Sequence, residues 1–178
     1  MTAKEFMNRV AKGKDDFLQE FLDILHEHSI SYCAIGGLAV NAYVEPVVSL
    51  DLDIVILADH LPKLLPPLRT KYGVAEFPNS INVASSSSNL RIQIQTDPRY
   101  QPFIQRATRR DVLGYEIPVA AIEDVLQGKI RAAIDETRRP SKRQKDLADI
   151  LRLLEAREDL ISLVPDSLKA KLFPNGPI

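Results

Sequence analysis

The stretch Leu50-Asp51-Leu52-Asp53-Ile54-Val55-Ile56-Leu57 decides the fold. It carries the strongest strand signal in the chain. Side chains alternate across a strand, so Leu50, Leu52, Ile54 and Ile56 take one face. Asp51 and Asp53 take the other, about 7 Å apart along the strand. The second half is apolar on both faces, which predicts a strand in the middle of a sheet with a helix over it. Aspartate is disfavoured in strands, and two like charges on one face repel each other. A divalent cation removes that cost, because both carboxylates can ligate it while leaving positions for phosphate oxygens and water. The competing reading is a solvent-exposed strand end, where water handles the repulsion; an isolated Asp-x-Asp reads that way.

The element upstream changes the weighing. Residues 31–35 read as a short buried strand, stopped by Gly36-Gly37, and residues 38–44 as a short helix ended by Glu45-Pro46. Glycines between strand and helix permit a tight turn and let a ligand approach the backbone amides. Free N–H groups at a helix start make a phosphate site without any lysine. Alone, Gly-Gly marks only a turn. Joined to a neighbouring strand bearing Asp-x-Asp, it sets an anion cradle beside a metal site, as a nucleoside triphosphate requires.

Outward from this centre, residues 5–28 read as helical. Phe17, Leu18, Phe21, Leu22 and Leu25 recur at helical spacing, with Gly13 and Asp15-Asp16 as a break or cap. Downstream, 59–72 reads as a helix broken near Pro66-Pro67, and 74–77 and 81–84 as short strands. Residues 90–96 alternate cleanly as a strand, 103–107 fit a short helix and 115–120 a further strand. Helices over 121–136 and 142–157 meet at the turn Arg138-Arg139-Pro140, and a last helix over 166–172 precedes a tail containing Pro174 and Pro177. The fold class expected is α/β (α+β), a small mixed β-sheet flanked by helices. Its parts are an N-terminal helix at 1–30, an α/β core at 31–120 and a helical C-terminal part at 121–178.

With 45% hydrophobic and 26% charged residues, the 178-residue chain should bury a packed core. A net charge of −1 excludes bulk attraction to nucleic acid and leaves only a local basic patch. Cys33 is the only cysteine, so no internal disulfide forms, and its apolar setting marks an inert buried thiol. The first six residues lack an apolar signal core and no apolar run spans a bilayer, so a cytoplasmic protein without membrane contact is expected. His26 and His28 are two apart on a helix and do not share a face. No Ser-His-Asp set or cysteine nucleophile is visible.

Gly36-Gly37-Leu38-Ala39, followed by Ser49-Leu50-Asp51-Leu52-Asp53-Ile54, resembles the signature of the DNA polymerase β-like nucleotidyltransferase superfamily. The likeness is nearest to its small bacterial branch of minimal nucleotidyltransferases and abortive-infection toxin-type proteins. Leu126-Gln127-Gly128-Lys129-Ile130 and Lys145-Asp146-Leu147-Ala148-Asp149-Ile150 resemble that branch's C-terminal helices, so the likeness spans about residues 30–155. The resemblance implies that Gly36 and Gly37, with Ser49 nearby, hold the triphosphate of ATP or another NTP. It implies that Asp51 and Asp53 carry Mg2+, in a site with room for two ions. A nucleoside monophosphate would pass to an acceptor by in-line attack on the α-phosphorus, with pyrophosphate leaving. The acceptor is open between RNA, protein and a small molecule. The alternative is a catalytically inactive member that binds nucleotide or a partner protein in a toxin–antitoxin or regulatory role.

The chain departs from the family pattern at three places. Gly37 stands where serine is frequent, and Val47 and Ser49 stand where arginine and threonine are. The third departure weighs most. On the strand at 90–96, Arg91, Gln93, Gln95 and Asp97 share the face opposite Leu90, Ile92 and Ile94, so Gln93 occupies the place of the third carboxylate. An amide can bind a metal or a ribose but cannot act as a general base. Asp97 shares that face about 13 Å further along. Lys129 sits in the apolar stripe of its helix, so it either reaches the cleft to bind phosphate or pairs with Asp146 or Asp149; the resemblance favours the cleft. Arg138, Arg139, Lys142, Arg143 and Lys145 read as a solvated basic turn, with contact to RNA or a partner as the other reading.

Overall fold

The computed structural model describes residues 1–176, so Pro177 of the expected tail lies outside the described residues. The helical stretch expected over 5–28 is two helices, α1 (Ala3–Val10) and α2 (Phe17–Glu27). Asp16 caps α2 by accepting the Gln19 amide, and the helix buries Phe17, Leu18, Phe21, Leu22 and Leu25. β1 (Tyr32–Ile35) runs straight into α3 (Gly36–Val40), followed by β2 (Asp51–Ile56) and α4 (Leu61–Lys71). Next come the hairpin β3 (Gly73–Phe77) and β4 (Ser80–Ala84), then β5 (Arg91–Gln95) and the short α5 (Phe103–Arg106). A second hairpin, β6 (Thr108–Val112) and β7 (Tyr115–Val119), leads to α6 (Ile122–Ile134), α7 (Pro140–Ala156) and α8 (Asp166–Leu172).

The strands form one mixed sheet in the order β3-β4-β5-β2-β1-β7-β6. β2 lies at its centre, antiparallel to β1 and parallel to β5. The expected α/β class and the central strand with helical cover are therefore what the chain adopts. Leu52, Ile54 and Ile56 belong to a continuous apolar core that also takes in Leu38 of α3, Leu126 of α6 and Ile150 of α7. Each such side chain contributes about 1.5–3 kcal/mol by leaving water. The core thus clamps the C-terminal helices onto the sheet. No helix among the described residues is long and apolar enough to cross a membrane. Cys33 is buried, and burial pushes its thiol up to about 12, in keeping with an inert side chain.

Three local expectations need correction. The helix expected over 38–44 starts at Gly36 and ends at Val40. α4 is not broken: Pro66 and Pro67 lie inside it. Their missing N–H groups would have bonded the carbonyls of Pro62 and Lys63, which are exposed and can bond to water instead. Leu64 and Leu68, one turn apart and fully buried, pin the helix on both sides of the pair. β6 was not anticipated, because Thr108 to Asp111 are exposed and show no apolar alternation, as suits a charged edge strand. Its turn, Leu113-Gly114, has φ of 54° and 86°, the hairpin geometry usually announced by Asn-Gly.

Candidate functional site

The register of the sheet assembles the site. Pairing of β2 with β5 sets Asp51 beside Arg91 and Asp53 beside Gln93, and β4 adds Asn82 beside Gln93. On the other side, Ile35 at the end of β1 pairs with Asp53, which brings Gly36 to the same spot. α6 and the start of α7 close over this face with Gly128, Lys129, Ala132, Arg138, Lys142 and Asp146. The cavity between them measures about 440 Å3, within the usual range of about 300–1,000 Å3 for small-molecule sites.

Asp51 is held from two sides. Arg91 places a guanidinium nitrogen 2.8 Å from Oδ1, and Lys142 Nζ donates to Oδ2 at 3.1 Å. Burial pushes the Asp51 carboxyl up, but the Lys142 hydrogen bond and the two positive charges outweigh it and hold it below its ordinary value. Asp53 differs. Burial is the largest influence and raises it, Asp51 adds to the rise, and more distant cations oppose it only in part. Its carboxylate receives no hydrogen bond from the described residues. A paired carboxylate and one without a partner among the described residues therefore share the floor.

Gly36 explains how Asp53 fits. Its φ is +70°, and a Cβ built there would lie 2.2 Å from Asp53 Oδ2 and 2.9 Å from its Cγ. The glycine leaves room for the carboxylate itself. Gly37 has no such constraint: a Cβ would meet only Ser49 Oγ, at 3.8 Å. Gly37 and Ser49 are not among the residues lining the cavity. Ser49 is buried and its hydroxyl accepts the Asp51 amide at 3.3 Å, steadying the start of β2. The α3 helix is only five residues long.

Lys129 both lines the cavity and pairs with the next helix. Lys129 Nζ lies 3.0 Å from Asp146 Oδ1 and 2.7 Å from Asp149 Oδ2, with its side chain 8% exposed. Burial lowers its affinity for a proton, and the two acids more than restore it, so the ammonium is held above its ordinary value. It still lines the cavity, but as an internal ion pair. The basic turn is not uniformly solvated. Arg138 Nε is 2.7 Å from Asp146 Oδ2, Lys142 reaches Asp51, and Arg143 bonds the Ala133 carbonyl. Sequence reading missed Arg91, Arg138, Lys142 and Asp146 as cavity residues. The available hint was basic charge at a helix N-terminus, which the helix dipole disfavours. Asp97 is drawn away: it caps a short turn and chelates Arg99 at 2.6 and 2.9 Å, outside the cavity.

Asp51 and Asp53 are hard oxygen donors that suit a divalent cation such as Mg2+. The Asp53 carboxylate, hydrogen-bonded by none of the described residues and given its room by the missing Cβ of Gly36, fits such an ion. Among the described residues no three His, Cys, Asp or Glu side chains converge as a protein cage, so phosphate oxygens and water would complete the coordination. The electrostatics predict a stability trade-off. With its folded value raised, Asp53 takes up a proton more readily in the folded protein, and its charge lowers stability as pH rises through that range. Asp53→Asn should therefore stabilise the metal-free protein by about 0.5–2 kcal/mol at neutral pH. The gain should shrink in acid. Urea unfolding at two pH values measures both, and a loss of stability at neutral pH contradicts the assignment.

A family model described as "Nucleotidyl transferase AbiEii toxin, Type IV TA system" matches residues 35–173. A comparison with curated proteins gives no match. Among solved structures, the antibiotic-resistance factor ANT(2'')-Ia superposes with a TM-score of 0.62 at 11% identity, covering 86% of this chain and 90% of that one. The lincosamide antibiotic adenylyltransferase LnuA, with lincomycin bound, gives 0.56 at 14% identity, covering 80% of this chain and 99% of that one. An antigenic nucleotidyltransferase-like protein from Paracoccidioides brasiliensis gives 0.50 at 18% identity, covering 98% and 99%. At these identities the likeness to the solved structures is one of fold.

Proposed function

Since the chain belongs to the nucleotidyl transferase AbiEii toxin family, we propose that it moves a nucleoside monophosphate from a nucleoside triphosphate to an acceptor. The observation that carries this reading is the pair Asp51 and Asp53 at the floor of a cavity lined by Arg91, Lys129, Arg138 and Lys142. Two acids to hold a divalent cation, and a basic wall in which Arg91 and Lys142 have only Asp51 as acid partner, match the demands of a bound NTP. Mg2+ held by Asp51 and Asp53 would supply Lewis-acid charge to the phosphate oxygens. The walls would orient the triphosphate for in-line attack by the acceptor hydroxyl, with pyrophosphate leaving. Gln93, beside Asp53, can hydrogen-bond a hydroxyl but cannot take its proton. The proposed setting is the cytosol, and the acceptor classes to try are RNA and protein.

Gln93 also favours a second reading, a protein that binds nucleotide without transferring it and acts through a partner such as an antitoxin. Calorimetry with ATP and Mg2+ tests the site common to both. Asp51→Asn/Asp53→Asn should weaken metal-dependent nucleotide binding about tenfold to a hundredfold. Affinity untouched by the double substitution removes the metal site. Incubation with labelled NTPs and total RNA or protein then separates the readings: label in an acceptor supports transfer, and bound nucleotide without label supports the binder.

A further inference from the structure

The four cavity cations fall into two kinds by the acids that hold them. Lys129 is clamped by Asp146 and Asp149, and Arg138 by Asp146, all within the C-terminal helical part. Those acids are buried, with side chains 2% and 5% exposed. Arg91 and Lys142 have one acid partner between them, Asp51, and each takes a different oxygen of it. Among the described residues neither has another carboxylate within ion-pair distance. Asp51 is also the residue to which the nucleotide reading gives the metal.

These positions conflict with a bound ion. A magnesium ligated by Asp51 sits about 2.0–2.1 Å from a carboxylate oxygen. That places a double positive charge against an ammonium 3.1 Å from Oδ2 and a guanidinium 2.8 Å from Oδ1. The ion's charge weakens both contacts and favours release of at least one basic group. Both can leave, since the Arg91 and Lys142 side chains are 68% and 37% exposed, against 8% for Lys129. A triphosphate arriving with the ion offers new anionic oxygens in the same cavity. The fork of Arg91 suits paired phosphate oxygens, and Lys142 supplies a mobile point charge.

Resting on the nucleotide reading above, we propose that Arg91 and Lys142, rather than Lys129, grip the triphosphate, released to it when a divalent cation takes Asp51. Without ligand they neutralise that carboxylate. The arrangement couples the two ligands: each binds poorly alone, and together each favours the other.

Manganese titration of the full chain tests this, with free ion followed by its paramagnetic signal. It is run without nucleotide and with non-cleavable analogues of each of the four NTPs. Lys142→Gln and Arg91→Gln should bind Mn2+ alone about tenfold more tightly and the Mn2+–analogue complex about tenfold more weakly. Lys142→Arg should restore both constants toward those of the unaltered chain. Opposite signs on the two ligands separate this role from general damage to the fold, which weakens both. If both affinities fall together, or neither moves, while the unaltered chain binds the complex, the hand-over is wrong and the nucleotide reading survives. If the unaltered chain binds no Mn2+–analogue complex, both fall.

Discussion

Replacing Gly36 with alanine should cost the fold about 2–5 kcal/mol and remove metal-dependent nucleotide binding. Two terms add. Alanine at φ +70° pays about 1–2 kcal/mol for the left-handed backbone. The new methyl would also occupy the space of Asp53, 2.2 Å from Oδ2 and 2.9 Å from Cβ. Asp53 belongs to the central strand, whose neighbours Leu52 and Ile54 are fully buried, so it cannot retreat cheaply. Relieving such a clash by backbone shift costs about 1–3 kcal/mol. Gly37→Ala provides the contrast, because its Cβ meets only Ser49 Oγ at an ordinary 3.8 Å within a helix. That change should be neutral or stabilising by up to about 1 kcal/mol. Urea unfolding and nucleotide calorimetry on both variants decide the point; a Gly36→Ala protein with unchanged midpoint and binding refutes this account of the turn.

Lys129→Met should be the most damaging change among the cavity's basic residues. It leaves Asp146 and Asp149, 1% and 4% exposed, without their shared cation. Breaking a buried pair costs about 3–5 kcal/mol. The lower end is expected here, because Asp146 keeps Arg138 and Asp149 keeps Arg152 at 2.8 Å. The pH dependence has a definite sign. Lys129 is held above its ordinary value, so its stabilisation is fully present at neutral pH and fades only as strongly alkaline pH passes through the raised value. Lys129→Met/Asp149→Asn should recover part of the loss. Equal unfolding midpoints for the variant and the unaltered chain would show that the triad is ornamental.

Local patterns carried some of this and distance hid the rest. β1, β2, β5 and β7 were legible because apolar alternation and flanking turns are properties of a few adjacent residues. The shared face of Asp51 and Asp53 follows from the same alternation. β6 escaped because an exposed edge strand needs no apolar residues, and the continuity of α4 escaped because the buried Leu64 and Leu68 override two prolines. In the site, the partners of Asp51 could not be read. Arg91 reaches it only through the parallel β2–β5 register, and Lys142 only through the packing of α7 across the sheet. Lys129 was expected in the cleft as a phosphate ligand. An ammonium centred in an apolar stripe needs a permanent counter-charge, and the next helix provides two.

The cavity's floor and its basic wall come from distant parts of the chain. β2 supplies both acids, Asp51 and Asp53, and β5 adds Arg91, whereas Lys129, Arg138 and Lys142 arrive only with α6, α7 and the turn between them. During translation the acidic strand is thus made before Arg91 and long before Lys129, Arg138 and Lys142. A nascent chain paused ahead of α6 carries an incomplete pocket and should retain no nucleotide. Competence would then arise only once α6 and α7 have been made, and any factor that delays their docking would hold the newborn protein silent.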